Sequence, residues 1–126
     1  MDVTIKRVYD AAEGDDGFRV LVDRLWPRGV SKVRAELGAW VKEAAPSDGL
    51  RRRWHADPQA HEPAHFAAFA ADYRAELEES PAREALDQLV GLAREHDRVT
   101  LLYGARNDTT NHAVVLRDVV LGRLRP

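Results

Sequence analysis

The spacing of apolar positions changes several times along this chain, and each change predicts a different element. Val3, Ile5, Val8 and Tyr9, interleaved with Thr4, Lys6 and Arg7, predict a first strand over residues 3–9. The polar stretch from Asp10 to Gly17 reads as a turn. Phe18 to Val22 predicts a second strand, and its run Val20-Leu21-Val22 suits burial on both faces. A polar connection, DRLWPRGVSK, follows, and Leu37 to Glu43 reads as a third strand or as part of a short helix.

The period then becomes helical. Ser47 is a cap candidate for a helix carrying Leu50 and Trp54 one turn apart. Phe66, Phe69, Ala70, Tyr73 and Leu77 form one helical stripe. Ser80-Pro81 reads as N-cap and first helical residue of a further helix, with Ala82, Leu86, Leu89, Val90 and Ala93 on its inner face. Val99 to Tyr103 is the clearest strand of the chain, and Ala113, Leu116, Val120 and Leu124 line a last helix. The order is roughly β-β-β-α-α-α-β-α. It predicts a small single-domain α/β fold over residues 1–126, a mostly parallel or mixed sheet flanked by helices.

Composition narrows the partners. Charged residues make up 32% of the chain yet nearly cancel to a formal −2, so overall charge points to neither nucleic acid nor membrane. The charges are unevenly placed: Arg24, Arg28, Lys32 and Arg34 follow Asp23 without an acid among them, whereas residues 72–97 are acid-rich. The chain has no cysteine, which excludes disulfides, thiolate chemistry and cysteine metal sites. No run approaches the ~18 apolar residues of a membrane span, and no signal core opens the chain. The expectation is a cytoplasmic protein with no membrane partner; the sequence leaves its oligomeric state open.

The letters HEPAH at residues 61–65 spell the H-x-x-x-H core of a zinc hydrolase. That arrangement needs both imidazoles inside one helix, facing the same way, plus a third ligand. Pro63 lies between them and is tolerated at a helix start rather than inside one. The reading is therefore a loop running into a helix at Pro63. No metal site and no cofactor are expected.

Two other stretches carry the candidate chemistry. In Asp23-Arg24-Leu25-Trp26-Pro27-Arg28-Gly29, Pro27 stiffens a loop that presents guanidinium groups suited to carboxylate or phosphate. The alternative is a brace, with Asp23 pairing an arginine and Trp26 covering the core edge. In Tyr103 to Ala113, a strand end and a helix start meet, the usual place for an anion in an open α/β sheet. Asp108, Thr109 or Thr110 is expected to cap that helix, which leaves Arg106, Asn111 and His112 unexplained. Tyr103 suits packing as well as proton donation. The run Arg51-Arg52-Arg53 spreads around a helix and reads as a solvated end.

The strings KRVYD, GFRVLVDRLWPRGVSK, APS followed by LR, and TLLYGARN with NHAVVL resemble, in order, the YeaO-like family, a domain of unknown function numbered 488. The resemblance covers nearly the whole chain. It implies a compact α/β domain in which the segments 24–32 and 103–112 meet, and it carries no established catalytic activity. The matching motif positions are Tyr9, Arg24, Trp26, Pro27, Arg28, Gly29, Lys32, Tyr103, Arg106, Asn107, Asn111 and His112. Ala56 departs from the pattern, where relatives carry a histidine, and HEPAH lies outside it.

Three functional readings follow. The first is a cleft binding a phosphate- or carboxylate-bearing ligand through Arg24, Trp26, Arg28, Lys32, Tyr103, Arg106, Asn107 and Asn111. Any chemistry there would be hydrolysis or transfer with His112 as acid or base. The second is a nucleic-acid-binding or regulatory module, disfavoured by the net charge and by the absence of a helix-turn-helix or RNA motif. The third is an interaction domain whose arginines only brace the loops.

Overall fold

A computed structural model describes residues 1–126. Strands β1 (Asp2–Arg7), β2 (Phe18–Leu21), β3 (Ala39–Trp40) and β4 (Arg98–Tyr103) form one sheet in the order β1-β4-β2-β3, with every pair parallel. Helices α1 (Lys32–Ala35), α2 (Asp48–Ala56), α3 (Pro63–Glu76), α4 (Ala82–Glu95) and α5 (His112–Leu124) connect and follow the strands. No helix is long and apolar enough to cross a membrane. The α/β class and the element order agree with the sequence reading, which missed the one-turn helix α1 and the 3-10 segments Gly14–Asp16 and Lys42–Ala44.

Alternation along the central strands splits the core into two unequal parts. Val20, Val22, Val99, Leu101 and Tyr103 join Val3 and the inner faces of α2 to α5 in a core of 22 buried residues. Leu21 and Leu102 point the other way. With Val8 they form a second cluster, covered only by Trp26, Val30 and Leu37 from the connection after β2. That connection is thus a lid over one sheet face. Trp26 seals it by donating its indole N–H to the Val30 carbonyl at 2.7 Å.

The other end of this second face is polar. Asp16 lies just before β2 and receives Lys6 Nζ at 3.1 Å and Arg19 Nη1 at 2.5 Å. Arg19 also donates Nε to the Ala35 carbonyl, which ties α1 to the sheet. Thr100 Oγ1 donates to the Asp16 carbonyl at 2.6 Å. Gly17 makes this entry feasible: its φ is +68°, and a Cβ would lie 2.3 Å from the Arg98 carbonyl oxygen.

Several element ends differ from the sequence expectation for local reasons. Strand β3 spans only two residues, because Lys42–Ala44 turns into a 3-10 segment. Ser47 caps α2 as expected, its Oγ accepting the Leu50 N–H. Pro81, rather than Ser80, occupies the N-cap of α4, and the Ser80 hydroxyl turns to Glu84 instead. The cap of α5 is Asn111, whose Oδ1 accepts the Val114 N–H at 3.0 Å. Asp108, Thr109 and Thr110 do not cap it, because Asn107 Oδ1 accepts the Thr109 and Thr110 N–H groups and bends the loop one turn earlier.

Candidate functional site

Because all strands are parallel, their carboxyl ends share one edge, and four loops gather there. Strand β2 leaves towards β3, whereas β4 turns into α5, which packs back on β1. The crevice between two connections that diverge is where open α/β sheets bind ligands. A cleft of about 550 Å³ opens at that point, within the range of small-molecule sites.

Cross-links between loops hold it open. Asp23 Oδ2 accepts the Gly104 N–H at 2.9 Å, joining the exits of β2 and β4. A Cβ at position 104 would lie 2.9 Å from that carboxylate oxygen, so a larger residue would push the Asp23 side chain aside. Arg7 Nε donates to the Ala105 carbonyl at 2.9 Å, and the Tyr9 hydroxyl donates to the Arg28 carbonyl at 2.9 Å. The His61 imidazole bonds the Thr110 hydroxyl, closing the loop before α3 onto the loop before α5.

Of the nine residues singled out from sequence, the cleft gathers Arg24, Trp26, Arg106, Asn107, Asn111 and His112. Their roles divide sharply. Arg24 is occupied: its guanidinium bonds the carbonyls of Pro46 and Ala45 and the Glu43 carboxylate. It fixes the segment entering α2, with three of its five N–H donors committed to protein oxygens. Asn107 and Asn111 shape the loop and cap the helix with their side chains. Arg106 is exposed and makes no ion pair, so it is the cation of this set left for a ligand. Arg28 and Lys32 are exposed and lie outside the cleft. Tyr103 is 2% exposed and packs in the main core, outside the cleft lining, and burial raises its phenol so that it stays protonated.

His112 is the first residue of α5. Its Nε2 lies 3.0 Å from the Val22 carbonyl, which can only accept, so Nε2 carries the proton. The same nitrogen stands 3.3 Å from Asp23 Oδ1, a buried oxygen with no hydrogen bond. Nδ1 has no protein partner. Below this site the Tyr73 hydroxyl donates to the Ala44 carbonyl at 2.5 Å. Burial, then the nearby Glu76 and Asp23 charges, push that phenol well up, so it remains a fixed donor.

Helix α2 supplies what sequence reading missed. Arg51, Trp54 and His55 fall within one turn of each other and all line the cleft. Within the triple-arginine run, only Arg51 faces inward, and its Nε is buried without a partner. Partial burial and the charges of Arg51 and His112 lower the His55 pKa, so His55 is neutral near pH 7. Trp54 stacks on Phe69 with ring centroids 4.5 Å apart and meets the His61 ring edge-on. Three residues of one turn of an amphipathic helix do not announce a site, because the same spacing serves core packing.

HEPAH resolves as the proline position implied. Glu62 is the N-cap of α3 and Pro63 its first residue. His61 bonds Thr110, whereas His65 bonds Asp57 at 2.6 Å. The two imidazoles are committed to different loops and do not join a common set of ligand atoms.

Comparison with known proteins places these features in a lineage. The family described as "Inactive DUF488-N3 subclade" matches residues 2–126. The uncharacterised protein YeaO of Escherichia coli K12 is 44% identical over 118 residues, which is 94% of this chain and 96% of that protein. The uncharacterised protein Rv3073c of Mycobacterium tuberculosis H37Rv is 40% identical over 121 residues, 96% of this chain and 95% of its own. These matches agree with the motif resemblance. No solved structure matches the chain.

Proposed function

The chain belongs to the inactive DUF488-N3 subclade, and from that premise we propose that its cleft binds a small anionic ligand without transforming it. The observation that carries this reading is the pair of arginines with donors left over in the cleft: Arg106 makes no ion pair, and Arg51 has a buried Nε without a partner, its Nη2 reaching the exposed Asp48 at 3.4 Å. Guanidinium groups suit phosphate and carboxylate oxygens. Arg106 and Arg51 are the anion partners in this reading, and Arg24 holds the wall that places them. His112 serves as a hydrogen-bond partner through Nδ1. The word "inactive" in the family's description favours binding over acid–base turnover.

Thermal-shift titration with phosphate, mononucleotides and small carboxylates tests it. At least one anion should raise the melting temperature in a saturable way, and Arg106→Ala should abolish the shift while leaving the ligand-free melting temperature unchanged. If no anion stabilises the wild-type protein, the reading fails.

A further inference from the structure

The charge in the cleft occupies only part of its wall. Trp26, Pro27, Trp54 and Phe69 line the rest, and Trp54 and Phe69 form a stacked pair rather than a scattered apolar surface. Inorganic phosphate or a simple carboxylate would fill a small fraction of about 550 Å³ and leave the half-buried rings of Trp26 and Trp54 facing water, whereas Phe69, 5% exposed, already belongs to the core. The ligand that fits the whole cleft has an anionic group joined to a flat apolar one. Helix α2 fixes the spacing between the two. Arg51 and Trp54 are three residues apart, about 4.5 Å along the axis, so one compact molecule can meet both. Arg106 reaches the same space from the opposite loop.

Resting on the anion-binding reading, we propose that the ligand is a nucleotide, its phosphate held by Arg51 and Arg106 and its base laid against the aromatic wall around Trp54. Base–aromatic stacking tolerates any base, because every base has a π-face. The proposal therefore specifies a chemical class and no particular base. The same chemistry is offered by a free mononucleotide and by the phosphorylated end of a single strand. The loop cross-link between His61 and Thr110 lies beside Trp54, so the wall is braced before any ligand arrives.

Equilibrium binding to the full-length chain tests this, with tryptophan fluorescence and calorimetry as paired readouts. Four probes are compared: inorganic phosphate, ribose 5-phosphate, AMP, and a 5′-phosphorylated trinucleotide. AMP should bind at least about tenfold more tightly than ribose 5-phosphate, the increment expected from one stacked base, and should change the tryptophan emission. In Trp54→Leu that advantage should collapse, while affinity for ribose 5-phosphate stays within about twofold. The ligand series on wild-type protein decides the matter even if Trp54→Leu misfolds. Equal affinities for AMP and ribose 5-phosphate would overturn the nucleotide proposal and leave anion binding standing. Failure of all four probes would remove both. A trinucleotide that binds more tightly than AMP would support the proposal with a strand end as the source, and the reverse order would support it with a free nucleotide.

Discussion

Asp16 and Asp23 bracket strand β2, one before it and one after it, and they are held in opposite ways. At the entry, burial works to raise the Asp16 carboxyl, but the Glu13 N–H, Lys6 and Arg19 outweigh it and hold it below the ordinary carboxylate value. Every partner there is a protein group, and Arg19 is 4% exposed. At the exit, Asp23 satisfies one oxygen with the Gly104 N–H and leaves the other without a hydrogen bond beside His112. The entry is a buried electrostatic knot away from the cleft, in which only Arg19 Nη2 lacks a partner, whereas the exit opens on a cleft lined by Arg51 and Arg106. A charged cluster buried away from any cleft stabilises a fold through its own ion pairs. One that leaves donors and acceptors over is where a ligand can add free energy.

Substitutions can break this contrast. The largest effect is expected from Asp16→Ala, which leaves the buried Arg19 guanidinium uncompensated. Urea denaturation should show a loss of about 3–5 kcal/mol. Asp23→Asn should cost far less, about 1 kcal/mol, since an amide oxygen can still accept the Gly104 N–H. Equal losses at the two positions would erase the distinction.

Arg24→Ala comes next. Two backbone carbonyls and Glu43 lose a charged donor, so a stability loss of about 2 kcal/mol is expected, accompanied by weaker ligand binding as the entry to α2 loosens. A variant with native stability and lost binding would instead make Arg24 a direct ligand group.

The two regions should also separate by pH. Asp16 has a depressed folded-state pKa, so its stabilisation is fully present above the unfolded value near 3.9 and is lost as pH falls through the folded value. His55 is also depressed, but it is a base whose ordinary value is 6.5. The unfolded chain then takes up its proton at a higher pH than the folded one. Stability therefore falls as pH drops below about 6.5, until folded His55 is protonated too. Melting temperature measured from pH 8 to pH 3 should show both steps. His55→Gln should flatten the upper step only, and Asp16→Asn the lower.

The smallest effect is expected at Arg28. Its side chain is exposed and outside the cleft, and only its backbone carbonyl is used. Arg28→Ala should change stability by less than about 0.5 kcal/mol and leave anion affinity unaltered, read by the same denaturation and titration experiments. A large loss of affinity would place the binding surface on the outer side of the DRLWPRG loop.

Much of the fold and part of the site were legible in the chain alone. The apolar strand Val99–Tyr103, the doubly apolar run Val20-Leu21-Val22 and the helical stripes at Phe66–Leu77 and Ala82–Ala93 determined an α/β protein, because burial imposes its pattern on the residues that undergo it. Pro63 determined that HEPAH opens a helix instead of running through one, since its ring cannot follow a helical turn. The motif segments around Trp26 and Arg106 both lie at the sheet edge where the cleft opens.

Only the tertiary structure decided which charges remained free. Arg24 and Arg106 look equally available in sequence, yet one is consumed by the carbonyls of Ala45 and Pro46 and the other is left over. Arg51 looked like one of three solvated arginines until α2 docked with that face turned inward. The pairing of Asp23 with Gly104 and His112 joins residues more than 80 positions apart. The physical reason is range. Secondary structure follows from interactions a few residues apart, which the local pattern records, whereas the occupancy of a donor depends on groups brought near only by folding.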